Sequence, residues 1–247
     1  MAALLIIGCL LLSYAPCLLL YFWLKRDMVD QERQALCRKL LLGGVLCALG
    51  VIACSATFTI VGKLLSFTVL PILNTSDLVW TIYNIFLVIT FSEELVKGLA
   101  AWTILKRNAK SFSWLGIMVA MAIVGIGFEM IESVVYLLES NPIQIIIRGL
   151  TAMHAIYGMT MGYFLGKGLH TGKKVNYALA IVLPILLHGL YDFSLSDVAQ
   201  GLGDFFIFLP FIMIFVTLGI GIRLILLMRK ARQQQDEEFL APLPVGK

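Results

Sequence analysis

Residues 77–105 read DLVWTIYNIFLVITFSEELVKGLAAWTIL, an apolar run long enough to cross the hydrocarbon core of a bilayer. Glu93 and Glu94 lie side by side in the middle of this run, and Lys97 follows one helical turn later. Placing one carboxylate at that depth costs about 2.5–3.5 kcal/mol on the scale derived from membrane insertion. Two adjacent carboxylates and a lysine at one level therefore indicate a functional site inside the membrane.

The composition of the whole chain is typical of an integral membrane protein. Of its 247 residues, 60% are hydrophobic and 14% are charged, and the mean hydropathy is +0.93. Soluble domains contain about 45–50% apolar and about 25% charged residues. In such a protein the net charge of +4 reports membrane topology, so we expect a lipid bilayer around the chain and no nucleic-acid partner.

Seven segments have about the 20 apolar residues that a membrane-crossing helix requires. We predict an all-α polytopic membrane protein with about seven transmembrane helices, and 63–77 either extends the second or forms a short interfacial helix. One membrane domain then covers 1–228, and a disordered cytoplasmic tail covers 229–247. The predicted spans are 3–24, 40–62, 78–105, 114–138, 143–167, 175–196 and 205–228.

Basic residues predict the orientation of these spans, because cytoplasmic loops carry an excess of lysine and arginine. Clusters of basic residues follow the first, third, fifth and seventh segments, whereas the intervening loops contain Lys63 alone. The N-terminus is therefore expected outside and the C-terminus in the cytoplasm. The first segment has its charges after it, which is typical of an uncleaved anchor.

Polar residues in the later segments recur at spacings that place them on shared helix faces. Glu129 and Glu132 are three residues apart, and His188 and Asp192 are four apart, so that the carboxylate can orient the imidazole. His154 is followed by a glycine at every fourth position through residue 166, a pattern of close helix packing in membranes. We therefore expect His154 to face another helix.

The predicted spans also place these polar residues at one depth. At 1.5 Å per residue, Glu93, Glu129, His154 and His188 lie roughly 20–26 Å from the cytoplasmic boundary. Four helices would then bring acids and histidines into one layer near the middle of the membrane.

A carboxylate beside histidines, shielded from bulk water, can activate a water molecule for attack on an amide. Two histidines and a carboxylate can also hold Zn²⁺ and leave a fourth position for that water. Taken alone, Glu93 and Lys97 could form a structural ion pair, and Glu129 and Glu132 could line a water-filled cavity without chemistry. His188 and Asp192 alone could form a packing hydrogen bond. A proton- or cation-coupled transporter would use similar residues, but Pro184 and Pro210 are too few to suggest the broken helices of such folds.

Four segments, in order, resemble the motifs of PrsW-type intramembrane proteases over about residues 92–194. The motif E-E-x-x-K resembles 91–97 (FSEELVK), and G-x-G-F-E-x-x-E resembles 125–132 (GIGFEMIE). Arg148 and His154 match R-x₅-H, and 187–193 (LHGLYDF) resembles H-x-x-x-D. The more distant superfamily of prenyl-protein endopeptidases and bacteriocin-immunity proteins has a histidine where this chain has Glu132.

The resemblance implies a membrane-embedded endopeptidase, multi-pass in the bacterial plasma membrane, that cuts a single-span membrane protein such as an anti-sigma factor. A non-catalytic scaffold or immunity protein of the same fold is the alternative. The implied metal ligands are His154, His188 and Glu132 around Zn²⁺, with a metal-free glutamate mechanism as the other possibility. Either Glu93 or Glu94 is the general base. The implied catalytic residues are Glu93, Glu94, His154, His188 and Asp192, and the supporting residues are Lys97, Glu129, Glu132 and Arg148.

Overall fold

The computed structural model describes residues 2–25, 31–68, 70–106, 113–139, 151–234 and 240. The elements in these ranges are helical, as predicted, and a π-helical segment, Asn84–Thr90, joins α4 to α5. The helices are α1 (Ala2–Lys25), α2 (Gln31–Thr68), α3 (Ile72–Thr75), α4 (Asp77–Tyr83), α5 (Phe91–Lys106), α6 (Trp114–Glu139), α7 (Met153–Thr171), α8 (Lys174–Ser194), α9 (Asp197–Gln200) and α10 (Asp204–Gln233).

Five helical stretches in the described ranges are long and apolar enough to cross a membrane. A shorter apolar helix is found at Leu11–Lys25. The prediction of a multi-pass helical membrane protein is therefore supported, while the count of seven spans and the orientation stay predictions. The five stretches are Ala35–Thr68, Asp77–Lys106, Trp114–Tyr136, Lys174–Ser194 and Asp204–Gln233.

The predicted boundaries are least accurate around the fifth span. Ala152 has a left-handed backbone conformation (φ 44°, ψ 45°), so α7 begins at Met153 and the predicted continuous helix over 143–167 is wrong. Residues 143–150 lie outside the described ranges. His154 consequently lies in the first turn of a helix instead of in its middle.

Two other predicted boundaries are shifted. Helix α2 runs from Gln31 to Thr68, well beyond the predicted 40–62, and the short α3 follows it across Pro71. Helix α10 continues to Gln233, so residues 229–233 belong to the helix and not to the predicted tail.

Helix α6 lies at the centre of the fold. In its most apolar window 83% of the residues are buried, against 17% for α2 and 22% for α10, whose apolar faces are left for lipid. Glycines allow this burial: a Cβ at Gly127 would overlap the carbonyl of Leu41 in α2, and one at Gly158 would overlap the carbonyl of Met121. The predicted close packing of the glycines in α7 against a neighbouring helix is thus confirmed.

The π-helical segment precedes the paired glutamates. The hydroxyl of Ser55 in α2 donates to the carbonyl of Val88, 3.0 Å away, so α2 supports the backbone of this segment. Short π-helical stretches occur frequently at functional sites. The helix Asp77–Lys106 therefore stays continuous while its register changes one turn before Glu93 and Glu94.

Candidate active site

Four helices bring the predicted polar residues together in the protein interior. Helix α5 contributes Glu93, Glu94 and Lys97, which are 6%, 1% and 4% exposed, and α6 contributes two further glutamates. Arg148 lies outside the described residues. The side chains that meet here are those of Glu93, Glu94, Lys97, Glu129, Glu132, His154, His188 and Asp192.

Lys97 is the cation at the centre of the cluster. Its Nζ donates to Glu94 Oε1 at 2.7 Å and forms an ion pair with Glu93 Oε2 at 3.7 Å, so Glu94 is the closer of the two partners. The same ammonium lies 4.5 Å from the centre of the Phe128 ring, where a cation is attracted to the aromatic face. The contacts with the two glutamates stay within α5, whereas the contact with Phe128 crosses to α6.

His154 is hydrogen-bonded at both ring nitrogens. Lys97 Nζ lies 2.8 Å from Nδ1, and Glu132 Oε2 lies 2.7 Å from Nε2. An ammonium can only donate, so Nδ1 is the acceptor and Nε2–H donates to the Glu132 carboxylate. Neither nitrogen of His154 is therefore free in this arrangement.

The backbone of His154 is held from α6. Its N–H donates to Glu129 Oε2 at 3.2 Å. The residue before α7, Ala152, has no side chain that could cap the helix. Glu129 therefore supplies from another helix the acceptor that a polar N-cap residue would normally provide.

His188 differs from His154, because one of its nitrogens has no hydrogen bond. Its Nδ1 lies 3.0 Å from Glu94 Oε1, whereas its Nε2 lies 3.9 Å from Glu93 Oε2 and 3.1 Å from Asp192 Oδ2. The Asp192 carboxylate, four residues on in the same helix, thus lies at ion-pair distance from this nitrogen. Among the described residues, His188 Nε2 and Glu93 Oε2 are both buried without a hydrogen-bond partner.

These two unpartnered atoms fit a bound metal ion or water. The ligand atoms of Glu93, Glu94, His154 and His188 all lie within 4.8 Å of one another and could hold a metal ion. Imidazole nitrogens with carboxylate oxygens are donors that suit zinc. Glu129, Glu132 and His154 form a second such group. The predicted ligands Glu132 and His188 therefore belong to different groups, and His154 belongs to both.

A small cavity opens beside the two histidines. It leaves about 10 Å³ for the centre of a water molecule, which is roughly the room that one water needs. Met153, Tyr157 and Tyr191 line it and were not predicted as site residues. The sequence contained a signal for both tyrosines, since each follows a site histidine by three residues and so shares its helix face. The lining residues are Glu129, Met153, His154, Tyr157, His188 and Tyr191.

The chain is similar to a family of membrane proteases. The model of the PrsW family intramembrane metalloprotease matches residues 36–220, which is most of the chain. No solved structure matches the chain significantly.

Several curated relatives carry the name Protease PrsW. The protein of Oceanobacillus iheyensis is 43% identical over 75 residues, which is 29% of this chain and 35% of that relative. The Bacillus subtilis protein is 32% identical over 104 residues, covering 40% and 46%. The Halalkalibacterium halodurans protein is 28% identical over 183 residues, covering 72% and 78%. The chain thus spans between about a third and a half of the length of the first two relatives.

Proposed function

The chain belongs to the PrsW family, and from that premise we propose that it is an intramembrane endopeptidase that hydrolyses a peptide bond of a membrane protein. One observation carries this proposal. Glu93 Oε2 and His188 Nε2 lie 3.9 Å apart, buried and without hydrogen-bond partners among the described residues. A water-sized cavity adjoins His188. Amide hydrolysis by a water molecule requires a base that takes a proton from that water. Here such a base faces a nitrogen that could bind a metal ion, beside a cavity of the size of a water molecule.

The two adjacent glutamates take different roles in this proposal. Glu94 Oε1 accepts from Lys97 and from His188 Nδ1, so its charge is committed to holding the site together. Glu93 has an oxygen without such a commitment. Glu93 is therefore the general base, which takes a proton from the attacking water, and Glu94 fixes the orientation of His188.

With Glu93 as the base, the remaining residues that could hold a metal ion are Glu94, His154 and His188, and we infer that the ion is Zn²⁺. When bound, Zn²⁺ polarises the substrate carbonyl and makes its bound water a stronger nucleophile. Within this group His188 presents its Nε2 because Glu94 occupies Nδ1, an arrangement in which a carboxylate orients a histidine ligand. His154 of α7 would complete the group by exchanging one of its hydrogen bonds, to Lys97 or to Glu132, for the ion, and Asp192 adds negative charge beside His188 Nε2.

The remaining polar residues form the charge framework of the site. Lys97 balances the carboxylates of Glu93 and Glu94, while Glu132 fixes the ring of His154 and Glu129 fixes its backbone. We assign Arg148 the same balancing role on the basis of its place in the R-x₅-H motif.

The proposal includes a topology and a substrate class. Seven spans with the N-terminus outside are supported by the alternation of basic loops, and the bacterial relatives support the plasma membrane as location. The substrate would be a single-span membrane protein, of which an anti-sigma factor is one example. Fusing a reporter active only in the cytoplasm to Gln234 tests the orientation: activity is expected, and its absence would contradict a cytoplasmic C-terminus.

The test of the function uses purified protein with a tethered single-span membrane substrate. Glu93→Gln is expected to abolish cleavage at unchanged thermal stability, because the amide cannot take a proton but keeps the shape of the side chain. Glu94→Gln is expected to lower both cleavage and stability, since it removes the charge that pairs with Lys97. A chelator should stop cleavage and added Zn²⁺ should restore it.

Two exposed residues outside the site provide matched controls. His170→Ala and Asp204→Asn remove the same chemical groups and should cleave at the wild-type rate. Cleavage that survives Glu93→Gln, Glu94→Gln and His188→Ala would contradict a protease site here. If these variants lose cleavage but the chelator does not affect the wild-type protein, the result would contradict the proposed zinc ion and leave the protease site standing.

A further inference from the structure

Three rings meet beside the candidate active site, and one of them belongs to a residue outside the motifs. The ring of Tyr157 stacks on that of His188, with centroids 5.1 Å apart and an angle of 17° between the planes. It meets the ring of His154 nearly at a right angle, at 5.8 Å, and the two imidazoles are themselves 4.9 Å apart. Tyr157 is 1% exposed, so each ring of this triangle contacts the other two in a buried setting.

His188 needs such a contact because its hydrogen bonds do not fix the ring completely. The bond from Nδ1 to Glu94 and the 3.1 Å contact of Nε2 with Asp192 Oδ2 both act at the edge of the imidazole, so neither limits the tilt of the ring through contact with its face. The direction of Nε2 toward Glu93 depends on the plane of the ring. A stacked aromatic pair contributes about 0.5–1.5 kcal/mol beyond its buried area, and its geometry specifies a plane.

Tyr157 is itself held by its own helix. Its hydroxyl donates to the thioether of Met153, 3.4 Å away and one turn earlier in α7. A thioether sulfur is a weak acceptor, so this bond orients the ring more than it engages the hydroxyl. The ring face of Tyr157 lies on His188 and so contacts the site directly.

Resting on the proposed function, we propose that Tyr157 is a positioning residue, whose ring sets the plane of His188 and so directs Nε2 into the space in front of Glu93. The aromatic ring is required for this role and the hydroxyl is not. Phenylalanine should therefore replace Tyr157, whereas leucine, which is apolar but cannot stack, should not.

The chain has three histidines, which makes the geometry directly measurable. Protein labelled at its histidine rings gives three sets of ring signals by nuclear magnetic resonance, assigned by His154→Gln, His170→Gln and His188→Gln. In Tyr157→Leu the ring signals of His188 should move downfield, because the shielding by the stacked ring is lost. His170 is exposed and belongs to none of these contacts with Tyr157, so its signals should stay in place.

Kinetics with the tethered substrate give the second measurement. Tyr157→Leu should lower kcat about 10- to 100-fold, because misorientation of a reacting group has a cost of that size. KM should stay within about twofold, since the ring acts on His188 and not on substrate binding. Tyr157→Phe should restore both kcat and the His188 signals. The matched control is Tyr163→Leu, which removes a tyrosine of the same helix that packs on Trp114, away from both site histidines.

Each outcome decides the question. Unchanged His188 signals in Tyr157→Leu would overturn the proposal, as would a Tyr157→Phe variant as impaired as Tyr157→Leu. An equal fall of kcat in Tyr163→Leu would also overturn the proposal, because a general loosening of α7 would then explain the lost activity. If the His188 signals move as expected but wild-type protein cleaves no substrate, the ring contact stands and the protease function fails.

Discussion

The α7 side of the site, with His154, and the α8 side, with His188, are built differently although their rings lie 4.9 Å apart. His154 has both nitrogens occupied, by Lys97 and Glu132, and its backbone is held by Glu129. His188 has a hydrogen bond at Nδ1 only, and its buried Nε2 lies 3.1 Å from Asp192 Oδ2 without one. Two adjacent histidines are thus restrained differently, one at both ring nitrogens and its backbone and one with a ring nitrogen that has no hydrogen bond.

The difference arises from the position of Lys97. Its ammonium contacts Glu94 and His154, so it ties α5 to α7. Glu94 then passes the restraint on to Nδ1 of His188 in α8. Lys97 therefore restrains His154 directly and His188 through the carboxylate of Glu94. This leaves Nε2 of His188 available for a metal ion or water.

The largest expected effect comes from removing each histidine in turn. His188→Ala should lower cleavage at least about 1000-fold and lower stability less than His154→Ala, because Glu94 loses one hydrogen bond but keeps its pair with Lys97. His154→Ala should lower stability by about 1–3 kcal/mol as well as abolish cleavage, because it removes the buried hydrogen bonds that the ring makes with Glu132 and with Lys97.

Cleavage rates and thermal unfolding in the same detergent check this pair of variants. His170→Ala, on the exposed end of α7, is the control for both measurements. Equal stability of the two site variants would show that the two sides of the site are not built differently.

The second prediction concerns Lys97, which restrains both the α7 side and the α8 side of the site. Lys97→Met keeps the length of the side chain but leaves Glu94 buried without its cation, so stability should fall by about 3 kcal/mol. Both histidines should lose their orientation, and cleavage should disappear. Lys63→Met in α2 changes an exposed lysine and is the matched control. A Lys97→Met variant as stable as the control would mean that the ammonium is not the centre of the framework.

The sequence predicted which helices carry the site but not how their side chains pair. The unbroken apolar run 77–105 and its midpoint glutamates sufficed to predict the membrane helix and the buried acids. Spacing alone suggested that Lys97 pairs with Glu93 in the same helix, whereas its shortest contacts are to Glu94 and to His154 in α7. Partners on other helices depend on how those helices rotate, and periodicity within one helix does not contain that information.

Two backbone features were also beyond sequence reasoning. Ala152 is an ordinary helix former, so its left-handed conformation before His154 has no local signal, and tertiary contacts such as Glu129 to the His154 N–H impose it. The π-helical segment Asn84–Thr90 likewise consists of residues that any apolar helix accepts. By contrast, the glycines of α7 did predict close packing, because a missing side chain is visible in the sequence.

The third prediction tests the close packing of α7 against α6. Gly158→Ala would place a Cβ against the carbonyl of Met121, and backbone cannot move aside, so stability should fall by about 2 kcal/mol. Contacts between His154 and the glutamates of α6 should loosen before the contact of His188 with Glu94. Histidine ring signals and thermal unfolding measure the two effects. Gly219→Ala in α10, which has nothing within 4 Å of the added Cβ, should be neutral or slightly stabilising.

The smallest expected effect comes from the left-handed residue at the start of α7. Ala152→Gly should raise stability by about 0.5–1 kcal/mol, because the positive φ of 44° is unfavourable for alanine and not for glycine, and the greater flexibility of unfolded glycine offsets part of the gain. The control is Ala155→Gly, three residues later in the buried interior of the same helix, where the same change should lower stability by about 1 kcal/mol. Cleavage by Ala152→Gly should stay within about twofold of wild type, because Glu129 still accepts from the N–H of His154. Thermal unfolding of the two variants is thus expected to shift in opposite directions. A loss of stability in Ala152→Gly would show that the α7 side of the site does not depend on a backbone conformation imposed against the preference of its own sequence.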